Sequence, residues 1–382
     1  MPSGTEVGRL YLAADAFLKP LEQPFVYNRR TDELYELNDE AFAHLDRCRT
    51  GAGGGEVDFT RFCLEEGLLV ETGPPARSPL PVRAPSPSLR YLEVHLTARC
   101  NLSCRHCYLG EARREDLPWP VLRGIVADFE TVGGLRLLLS GGEPLLYPRF
   151  WELNDLLADR AYRSVLLSNG SLLDRETVRR LRVQEVQVSL DGLAPGHDLL
   201  RGAGNFRRTL EAIDLLREEG LDVAVATMVH AGNLDEMEDL RRLLLERGIR
   251  EWSVDLPTPA GRLAQVEVPP QVAAPYLDLA FGGGTHGAEG DLACGSHLAA
   301  VDVDGRLVKC GFYAGGPGPA VGQGLRRAWE ELPKVGLADL ACPASCPSLG
   351  DCRGGCRYRA EVMARPGAPD PVGCARFGQP VP

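Results

Sequence analysis

The segment YLEVHLTARCNLSCRHC, residues 91–107, joins an apolar strand candidate to three closely spaced cysteines. Its first seven residues are mostly apolar, as expected for a strand that is covered on both faces of a parallel sheet. Cys100, Cys104 and Cys107 then follow in a Cx3Cx2C spacing. Ligands of open α/β sheets bind at the carboxyl ends of the strands. We therefore expect the three cysteines to form part of a site at that end.

Strand and helix patterns alternate from this segment onward, with helix candidates such as 121–132 and 234–248 between the strands. Alternation of this kind predicts an α/β fold with a parallel sheet. Six βα units favour a partial (β/α)6 barrel of the TIM type, with its chemistry at the carboxyl ends of the strands. The strand candidates are 91–97, 135–140, 162–168, 186–190, 222–229 and 251–256.

Composition narrows the class of protein. The chain has 382 residues, of which 44% are hydrophobic and 25% charged, as is usual for globular proteins. A formal net charge of -11 argues against nucleic acid as a partner. No uninterrupted apolar run is long enough for a membrane helix, and the N-terminus lacks the pattern of a secretory signal. We therefore expect a cytoplasmic protein without a membrane partner.

Ten of the twelve cysteines fall in two groups, at 100–107 and 294–374. Stable disulfides are rare in a reducing cytosol, so clustered cysteines there are more often metal ligands. Three thiolates can hold three irons of a 4Fe-4S cluster and leave the fourth iron open. Zinc is the alternative for both groups, although it usually takes four closed ligands. Cys48 and Cys63, outside the groups, are expected to be buried structural thiols.

Five segments are predicted along the chain. The first, 1–72, has the pattern of a small α+β module of winged-helix type, with a strand pair around the turn 29–32 and helices near 39–48 and 58–69. A proline-rich linker, 73–89, is followed by the α/β core at 90–265 and a bridging region at 266–293. The last segment, 294–382, is rich in cysteine, with a hairpin around Asp304 and Gly305.

The motifs at successive strand ends resemble those of the radical S-adenosylmethionine (SAM) superfamily. The Cx3Cx2C motif, with the aromatic His106 before its last cysteine, is the first match, and a GGEP element at 141–144 is the second. The resemblance implies that the three cysteines hold a 4Fe-4S cluster and that His106 lies near the adenine. The residues implied to contact SAM are His106, Gly141, Gly142, Glu143, Ser168, Asn169, Ser189, Asp191 and Arg201.

The resemblance also implies a reaction. The open iron of the cluster would chelate the amino and carboxylate groups of SAM, and Arg201 would hold that carboxylate through a guanidinium pair. One electron then cleaves SAM into methionine and a 5′-deoxyadenosyl radical, which abstracts a hydrogen atom from the substrate. A flavodoxin- or ferredoxin-type protein is the expected electron donor. The resemblance identifies no catalytic base.

The C-terminal cysteines resemble the SPASM extension of radical SAM enzymes that modify peptides and proteins. The middle block departs from the usual spacing, because three residues rather than two separate Cys342 from Cys346. The resemblance implies two auxiliary 4Fe-4S clusters. One would be held by Cys294, Cys310 and Cys356, and the other by Cys342, Cys346, Cys352 and Cys374.

One auxiliary cluster lacks a fourth cysteine. Fully ligated relatives have a cysteine several residues before the position of Cys294, where this chain has none. His286, Glu289, Asp291, water or the substrate are the alternatives for the open position. We expect this iron to be a labile site.

Three features of residues 8–72 are a strand pair that ends in YELN at 35–38, a helix that follows from Asp39, and the sequence EGLL at 66–69. With these features the segment resembles the RiPP recognition element, the family of the peptide chaperone in pyrroloquinoline quinone biosynthesis. RiPPs are ribosomally made and post-translationally modified peptides. Such modules bind the leader of a precursor peptide by adding it as a strand to a sheet edge. The alternative is a simple packing extension of the barrel.

Together these features predict a peptide maturase that forms a thioether, carbon–carbon or carbon–oxygen crosslink. An alternative is maturation of a folded protein or of a cofactor precursor, as in sulfatase or haem maturation. Sulfatase-type relatives carry an Asp base after the position of Cys310, whereas this chain has Gly311. A non-enzymatic iron–sulfur or zinc protein would not need the SAM motifs.

Overall fold

A computed structural model describes residues 9–51, 56–72, 80–110, 113–257, 267–283 and 290–381. No helix in these ranges is long and apolar enough to cross a membrane. The twelve cysteines all fall within them, and none of these cysteines forms a disulfide bond.

The N-terminal unit is a small α+β structure with its own apolar core. Strands β2, β3 and β4 form an antiparallel sheet in that order, while β1 pairs with β5. Asn38 caps α1 by accepting a hydrogen bond from the Ala41 amide. Cys48 and Cys63 are buried in this core, as predicted. The elements are β1 (Tyr11–Leu12), β2 (Ala16–Pro20), β3 (Pro24–Asn28), β4 (Glu33–Glu36), α1 (Asp39–Cys48), α2 (Val57–Glu65) and β5 (Leu69–Val70).

The middle of the chain forms the predicted parallel sheet, in which each strand pairs with the next one along the chain. This arrangement confirms the α/β fold class with a partial barrel. The strands are β6 (Tyr91–Thr97), β7 (Arg136–Gly141), β8 (Arg163–Ser168), β9 (Glu185–Ser189), β10 (Asp222–Met228) and β11 (Glu251–Asp255). The helices are α3 (Trp119–Asp128), α4 (Phe150–Leu157), α5 (Arg175–Arg180), α6 (Ala194–Arg201), α7 (Asn205–Glu218) and α8 (Met237–Glu246).

The sheet does not stop at β6. Strand β12 pairs parallel to β6, and β13 pairs antiparallel to β12, so the cysteine-rich segment adds two strands to the barrel sheet. The predicted hairpin is present, with Gly305 at φ +75° in its turn. The remaining elements are α9 (Pro270–Leu277), β12 (Leu298–Val301), β13 (Leu307–Val308), α10 (Leu325–Glu331), α11 (Leu349–Cys352), α12 (Arg357–Met363) and α13 (Pro371–Arg376).

The closed end of the barrel is made of charged residues. Strands β7 to β11 begin with Arg136, Arg163, Glu185, Asp222 and Glu251. Arg163 pairs with Glu185 at 3.0 Å and with Asp222 at 2.5 Å, and Arg136 pairs with Glu251 at 3.2 Å. Each ion pair joins the starts of different strands, so the charges cross-link the sheet at the end opposite to the predicted site.

The turn between β3 and β4 closes that end. Asp32 accepts a hydrogen bond from Arg136 Nε at 2.5 Å, and the carbonyl of Arg29 accepts one from Arg163 Nη1 at 3.1 Å. The Arg29 guanidinium in turn donates to the carbonyl of Arg160 at 2.6 Å. The N-terminal unit is therefore bound directly to the barrel as well as through the proline-rich segment.

The end of the proline-rich segment is also in contact with the rest of the chain. Trp329 Nε1 donates to the Pro87 carbonyl at 2.6 Å, and the Ala84 amide donates to the Pro20 carbonyl at 2.9 Å. Leu89 is fully buried in the barrel core. Residues 73–79 lie outside the described residues, so the extended linker predicted there stays a prediction.

Lys19 of β2 connects the N-terminal unit to the barrel through a buried ammonium group. Its Nζ donates to the Gly134 carbonyl at 2.7 Å, just before β7. Burial lowers the pKa of Lys19 to about 8, although Glu130 opposes the shift. Between about pH 8 and pH 10.4, the unfolded chain therefore binds more protons here than the folded chain.

Because of this difference, we expect the contribution of Lys19 to the free energy of unfolding to rise with pH. Relative to a Lys19→Met variant, the parent should gain about 2 kcal/mol in free energy of unfolding between pH 7.5 and pH 9.5. Urea unfolding at the two pH values measures the gain. The variant is the reference because tyrosines and cysteines also titrate in this range. Parallel changes in parent and variant would show that Lys19 is not the cause.

Candidate radical SAM site

Backbone hydrogen bonds hold the first cysteine loop against the next strand end. The Gly142 amide donates to the Thr97 carbonyl and the Glu143 amide to the Arg99 carbonyl, both at 2.8 Å. A Cβ at residue 142 would collide with the Arg99 backbone, so the close approach requires glycine there. The Arg105 amide donates to the Leu200 carbonyl on α6 at 2.9 Å. The cysteine loop is thus fixed between two of the predicted SAM motifs.

The first cysteine loop turns back on itself between its last two cysteines, where the Cys107 amide donates to the Cys104 carbonyl at 3.3 Å. Burial raises the pKa of Cys100 to about 11, and Glu143, Cys104 and Cys107 add to the shift through their charges. In the described ranges, no three His, Cys, Asp or Glu side chains are arranged to hold one metal ion. A 4Fe-4S cluster takes one thiolate per iron, so its ligands need not converge on a single point. The donor set fits such a cluster.

Glu143 is a buried carboxyl group at the end of β7. Its oxygens accept hydrogen bonds from Ser168 Oγ at 2.9 Å and from the Asn169 amide at 3.0 Å. Burial raises the pKa of Glu143 to about 7 despite these bonds. A cationic group beside the carboxyl would stabilise its ionised form. The predicted contact with the amino group of SAM fits this environment.

Asp191 and Arg201 form a second buried pair, at the end of β9 and on α6. Arg201 Nε donates to Asp191 Oδ2 at 2.5 Å, and the Met228 amide donates to Asp191 Oδ1 at 2.7 Å. Burial opposes ionisation, but Arg201 and the neighbouring histidines hold the pKa of Asp191 below its usual value. The Arg201 guanidinium is therefore held in a fixed orientation, which suits a group that binds a carboxylate through paired hydrogen bonds.

His106 lies beside this pair. Its Nε2 is 3.4 Å from Arg201 Nη2, and burial, with the charge of Arg201, lowers the pKa of His106 to about 4. Its buried Nδ1 has no hydrogen-bond partner among the described residues. A bound ligand with a polar edge could supply the missing partner. Ser189, at the end of the same strand as Asp191, makes no side-chain hydrogen bond within the described part of the chain.

Two residues of this site were not predicted from the sequence. The Asp191 amide donates to His197 Nδ1 at 3.1 Å, so the histidine fixes the loop after β9. Glu236 accepts hydrogen bonds from the Leu193 and Gly196 amides at the start of α6, at 2.7 and 3.1 Å. Both act through backbone groups, and neither belongs to a recognisable short motif.

One of the two predicted sets of C-terminal cysteines lines a common cavity. Cys342, Cys346, Cys352 and Cys374 line one small cavity, together with Asp370. Burial raises the pKa of Cys310, and the charges of Cys294 and Cys356 add to the shift. The ligand assignments remain proposals, but the grouping fits one cluster for each set.

Asp370 connects the two sets of cysteines. It accepts hydrogen bonds from the Cys356 amide at 2.9 Å and from Arg359 Nη2 at 2.7 Å. Arg359 also pairs with Asp255, at the end of β11, at 2.8 Å. Removing one partner of a buried ion pair destabilises the folded protein by several kcal/mol. The cysteine-rich segment is therefore attached to the barrel at the same end as the SAM motifs.

Aromatic side chains fill the space between the first cysteine loop and the auxiliary set of Cys310. The Tyr108 ring lies 5.1 Å from Phe312, and Phe312 stacks on Tyr358 at 5.4 Å. Glu93 lies on β6 beside them, and a Cβ added at Gly311 would lie 2.5 Å from Glu93 Oε2. The Glu93 carboxylate thus takes the space next to Cys310 that a side chain at residue 311 would need.

The fourth ligand of that set remains a prediction. His286 and Glu289 lie outside the described residues. Asp291 is described, and its backbone carbonyl accepts a hydrogen bond from the Leu337 amide at 2.7 Å.

Comparison with known proteins agrees with this geometry. Residues 94–244 match the Radical SAM superfamily model. The chain therefore contains a radical SAM domain at these residues, as the motifs at the strand ends predicted. The superfamily uses SAM and a 4Fe-4S cluster. The resemblance of the N-terminal unit to the RiPP recognition element stays a prediction.

Two curated relatives differ in how much of the chain they match. The AdoMet-dependent heme synthase of Nitratidesulfovibrio vulgaris is 30% identical over 215 residues, which are 54% of this chain and 58% of the relative. The chain thus spans less than two thirds of that relative's length. The mycofactocin maturase MftC of Mycobacterium ulcerans is 28% identical over 329 residues, which are 76% of this chain and 89% of the relative.

A solved structure resembles the fold of this chain over most of its length. Streptococcus suis SuiB bound to its precursor peptide SuiA matches with a TM-score of 0.70 over 96% of this chain and 99% of that chain. The sequence identity is 16%, so the likeness concerns the fold.

Proposed function

We propose that this chain is a radical SAM peptide maturase, which abstracts hydrogen from a ribosomally made precursor peptide to form a crosslink. The observation that carries the proposal is the extent of the similarity. The relative named as a mycofactocin maturase matches 76% of the chain, more than the barrel alone contains. The nature of the crosslink, the use of two auxiliary clusters and a flavodoxin- or ferredoxin-type donor belong to the same proposal.

At the open end of the barrel, this chain's residues would bind and orient SAM. Bound SAM and its cluster would supply the 5′-deoxyadenosyl radical. Glu143 would accept the amino group of SAM, Arg201 would bind its carboxylate, and His106 would lie against the adenine. Asp191 orients Arg201 through the 2.5 Å hydrogen bond. Pre-oriented groups lower the entropy lost when the reacting atoms are brought together.

The N-terminal unit would bind the leader of the precursor peptide along β4. This strand pairs with β3 on one side only, and no other described strand pairs with its second edge. Phe62 of α2 packs against Tyr35 of β4, with their ring centroids 5.5 Å apart, and is 38% exposed. A strand added to β4 would gain backbone hydrogen bonds and would cover this apolar side chain.

A second candidate is maturation of a cofactor precursor. The heme synthase relatives support it, because their identity reaches 30% to 36% over roughly half of this chain. Those matches span only 52% to 58% of the relatives' own length, so they support the shared barrel more than a shared substrate.

The test begins with a search of the neighbouring genes for a short peptide reading frame, and the peptide found there is co-expressed with the enzyme. Each crosslink removes two hydrogen atoms, so mass spectrometry should show a product lighter by about 2 Da. Phe62→Asp, which places a charge on the proposed leader surface, should raise the apparent KM at least about ten-fold because the leader loses apolar burial. Cleavage of SAM without peptide should be unchanged.

Leu245→Asp is the matched control, since it makes the same kind of change at an exposed leucine of α8. It should behave as the parent enzyme. Haem formation from an iron porphyrin precursor, with no mass change in the peptide, would support the second candidate instead. Equal KM values for Phe62→Asp and the parent would show that the leader does not bind along β4.

A further inference from the structure

A short helix, α6, connects two parts of the candidate SAM site. It runs from Ala194 to Arg201, so its axis is about 12 Å long. It begins three residues after Asp191, and its last residue is Arg201, the proposed partner of the SAM carboxylate. The direction in which α6 leaves the barrel therefore determines where the Arg201 guanidinium lies.

The start of α6 is capped from another part of the chain. The residue before the helix is Leu193, whose side chain cannot accept a hydrogen bond. Glu236, directly before α8, supplies the acceptors instead. Its Oε2 accepts a hydrogen bond from the Leu193 amide at 2.7 Å, and its Oε1 accepts one from the Gly196 amide at 3.1 Å. A carboxylate at this position also interacts favourably with the helix dipole.

Two glycines make room for this carboxylate. A Cβ added at Gly192 or at Gly196 would collide with Glu236 Oε2 and would lie 3.0 or 2.8 Å from the Cβ of Asn233. Gly192 has φ +120°, which favours glycine for conformational reasons alone. Gly196 lies inside the helix, where glycine is less favourable than alanine. The close approach of Glu236 explains why a glycine stands there.

Asn233, three residues before Glu236, holds the residues that precede α6. Its Nδ2 donates to the Asp191 carbonyl at 3.1 Å and to the Met228 carbonyl at 2.9 Å. Asn233 is fully buried, so these bonds are shielded from water. The segment 228–236 thus fixes both the carboxylate that orients Arg201 and the start of the helix that carries Arg201.

The other end of α6 has a single contact with the first cysteine loop. There the Leu200 carbonyl accepts a hydrogen bond from the Arg105 amide at 2.9 Å. A helix that is held at both ends keeps one orientation. Without the cap from Glu236, α6 could pivot about the Leu200 contact, and the Arg201 guanidinium would move with it.

We propose that Glu236 is a positioning residue for SAM, which sets the affinity for SAM by fixing α6 and, through this helix, the Arg201 guanidinium. Glu236 acts through Arg201 rather than on SAM directly. A paired guanidinium–carboxylate contact depends on alignment, because both hydrogen bonds must form together. The proposal rests on the assignment of Arg201 in the proposed function, but it does not depend on the peptide substrate.

Calorimetric titration of the full-length reconstituted enzyme with SAM tests the proposal, with the cluster kept oxidised so that SAM is not cleaved. Glu236→Gln should raise the dissociation constant of SAM about ten-fold, because the side-chain amide has one acceptor oxygen instead of two. After reduction, 5′-deoxyadenosine formation at saturating SAM should equal that of the parent, since the lost interaction affects binding and not the cleavage step. A general loss of structure would lower both.

Glu238→Gln is the matched control, because it makes the same change at an exposed carboxylate of α8. It should keep the parental dissociation constant. Gly196→Ala is an independent variant, in which the added Cβ displaces the Glu236 carboxylate. Alanine favours the helix, yet this variant should bind SAM about ten-fold more weakly. Parental affinity in Gly196→Ala would overturn the proposal, and so would parental affinity in a folded Glu236→Gln.

A double variant tests whether Glu236 acts through Arg201. Arg201→Met alone should weaken SAM binding, and Glu236→Gln added to it should weaken binding no further, because the group that Glu236 positions is already absent. Additive losses would overturn the proposal. Parental affinity in Arg201→Met would also overturn it, together with the assignment of Arg201 to the SAM carboxylate.

These measurements use no peptide, so they separate the proposal from the maturase reaction. A dependence of SAM affinity on Glu236, in an enzyme that modifies no peptide, would retain the positioning role and reject the proposed function. Peptide modification by an enzyme whose SAM affinity does not depend on Glu236 would do the reverse.

Discussion

Replacing Cys100, Cys104 and Cys107 together with Ala is expected to reduce 5′-deoxyadenosine formation from SAM to background. These thiols are the proposed ligands of the SAM-binding cluster, and the loss of all three leaves that cluster without protein ligands. The reconstituted variant should also contain about four fewer irons per chain. Dithionite reduction, followed by chromatography of the nucleoside and an iron assay, measures both effects.

A second cysteine variant is the control for this result. Cys48 and Cys63 lie in the apolar core of the N-terminal unit, and their double replacement with Ala should leave SAM cleavage and iron content unchanged. The triple variant should keep the iron of the auxiliary sets. Undiminished 5′-deoxyadenosine in the triple variant would reject the assignment of the cluster to these cysteines.

Asp370→Ala is expected to have the largest effect on the cysteine-rich segment. It leaves the buried guanidinium of Arg359 with Asp255 alone and removes the acceptor of the Cys356 amide. Loss of one partner in a buried pair costs about 3–5 kcal/mol. We expect a lower midpoint of thermal unfolding and loss of auxiliary iron, measured by calorimetry and by iron content.

Asp351→Ala provides the comparison within the same cysteine block. Asp351 is exposed and lies directly before Cys352, and it makes no ion pair within the described residues. It should keep both the unfolding temperature and the iron content of the parent. If the two variants were equally stable, the carboxylate of Asp370 would have no organising role.

The strands of the barrel were predictable because their interiors are continuous apolar runs. Each of the six predicted strands is present, with ends within two residues of those expected. The helix near 234–248 was also predictable, since apolar residues recur at helical spacing and Gly248 ends it at φ +62°. The spacing of apolar residues along the sequence indicates which face of a strand or helix is buried, so elements with a buried face can be predicted from it.

Contacts between distant segments could not be predicted in this way. Strand β2 was missed, because Ala16–Pro20 is short and includes a buried lysine whose acceptor, Gly134, lies far along the chain. The pairing of β12 with β6 was also missed, since only a local hairpin was predicted in the cysteine-rich segment. The residues around β2 and β12 in the sequence do not indicate which distant segment each strand contacts.

The candidate site shows the same division. The motifs at the ends of β6, β7 and β9 could be found by resemblance, and the structure brings Glu143, Asp191 and Arg201 to the open end of the barrel. Glu93 and Glu236 were not found. Each is a single carboxylate whose role depends on a neighbour from another element, and an isolated Glu is usually a solvated surface charge.

The ionised first residues of the barrel strands bear on how the strands align. When both faces of a strand are covered, its apolar pattern hardly distinguishes one alignment from the next. A slip by one residue would draw Arg163 or Glu185 into the apolar interior and break their 3.0 Å ion pair. Burying an unpaired charge costs several kcal/mol. The charges at the closed end therefore select a single register for a sheet whose hydrophobic residues alone would tolerate several.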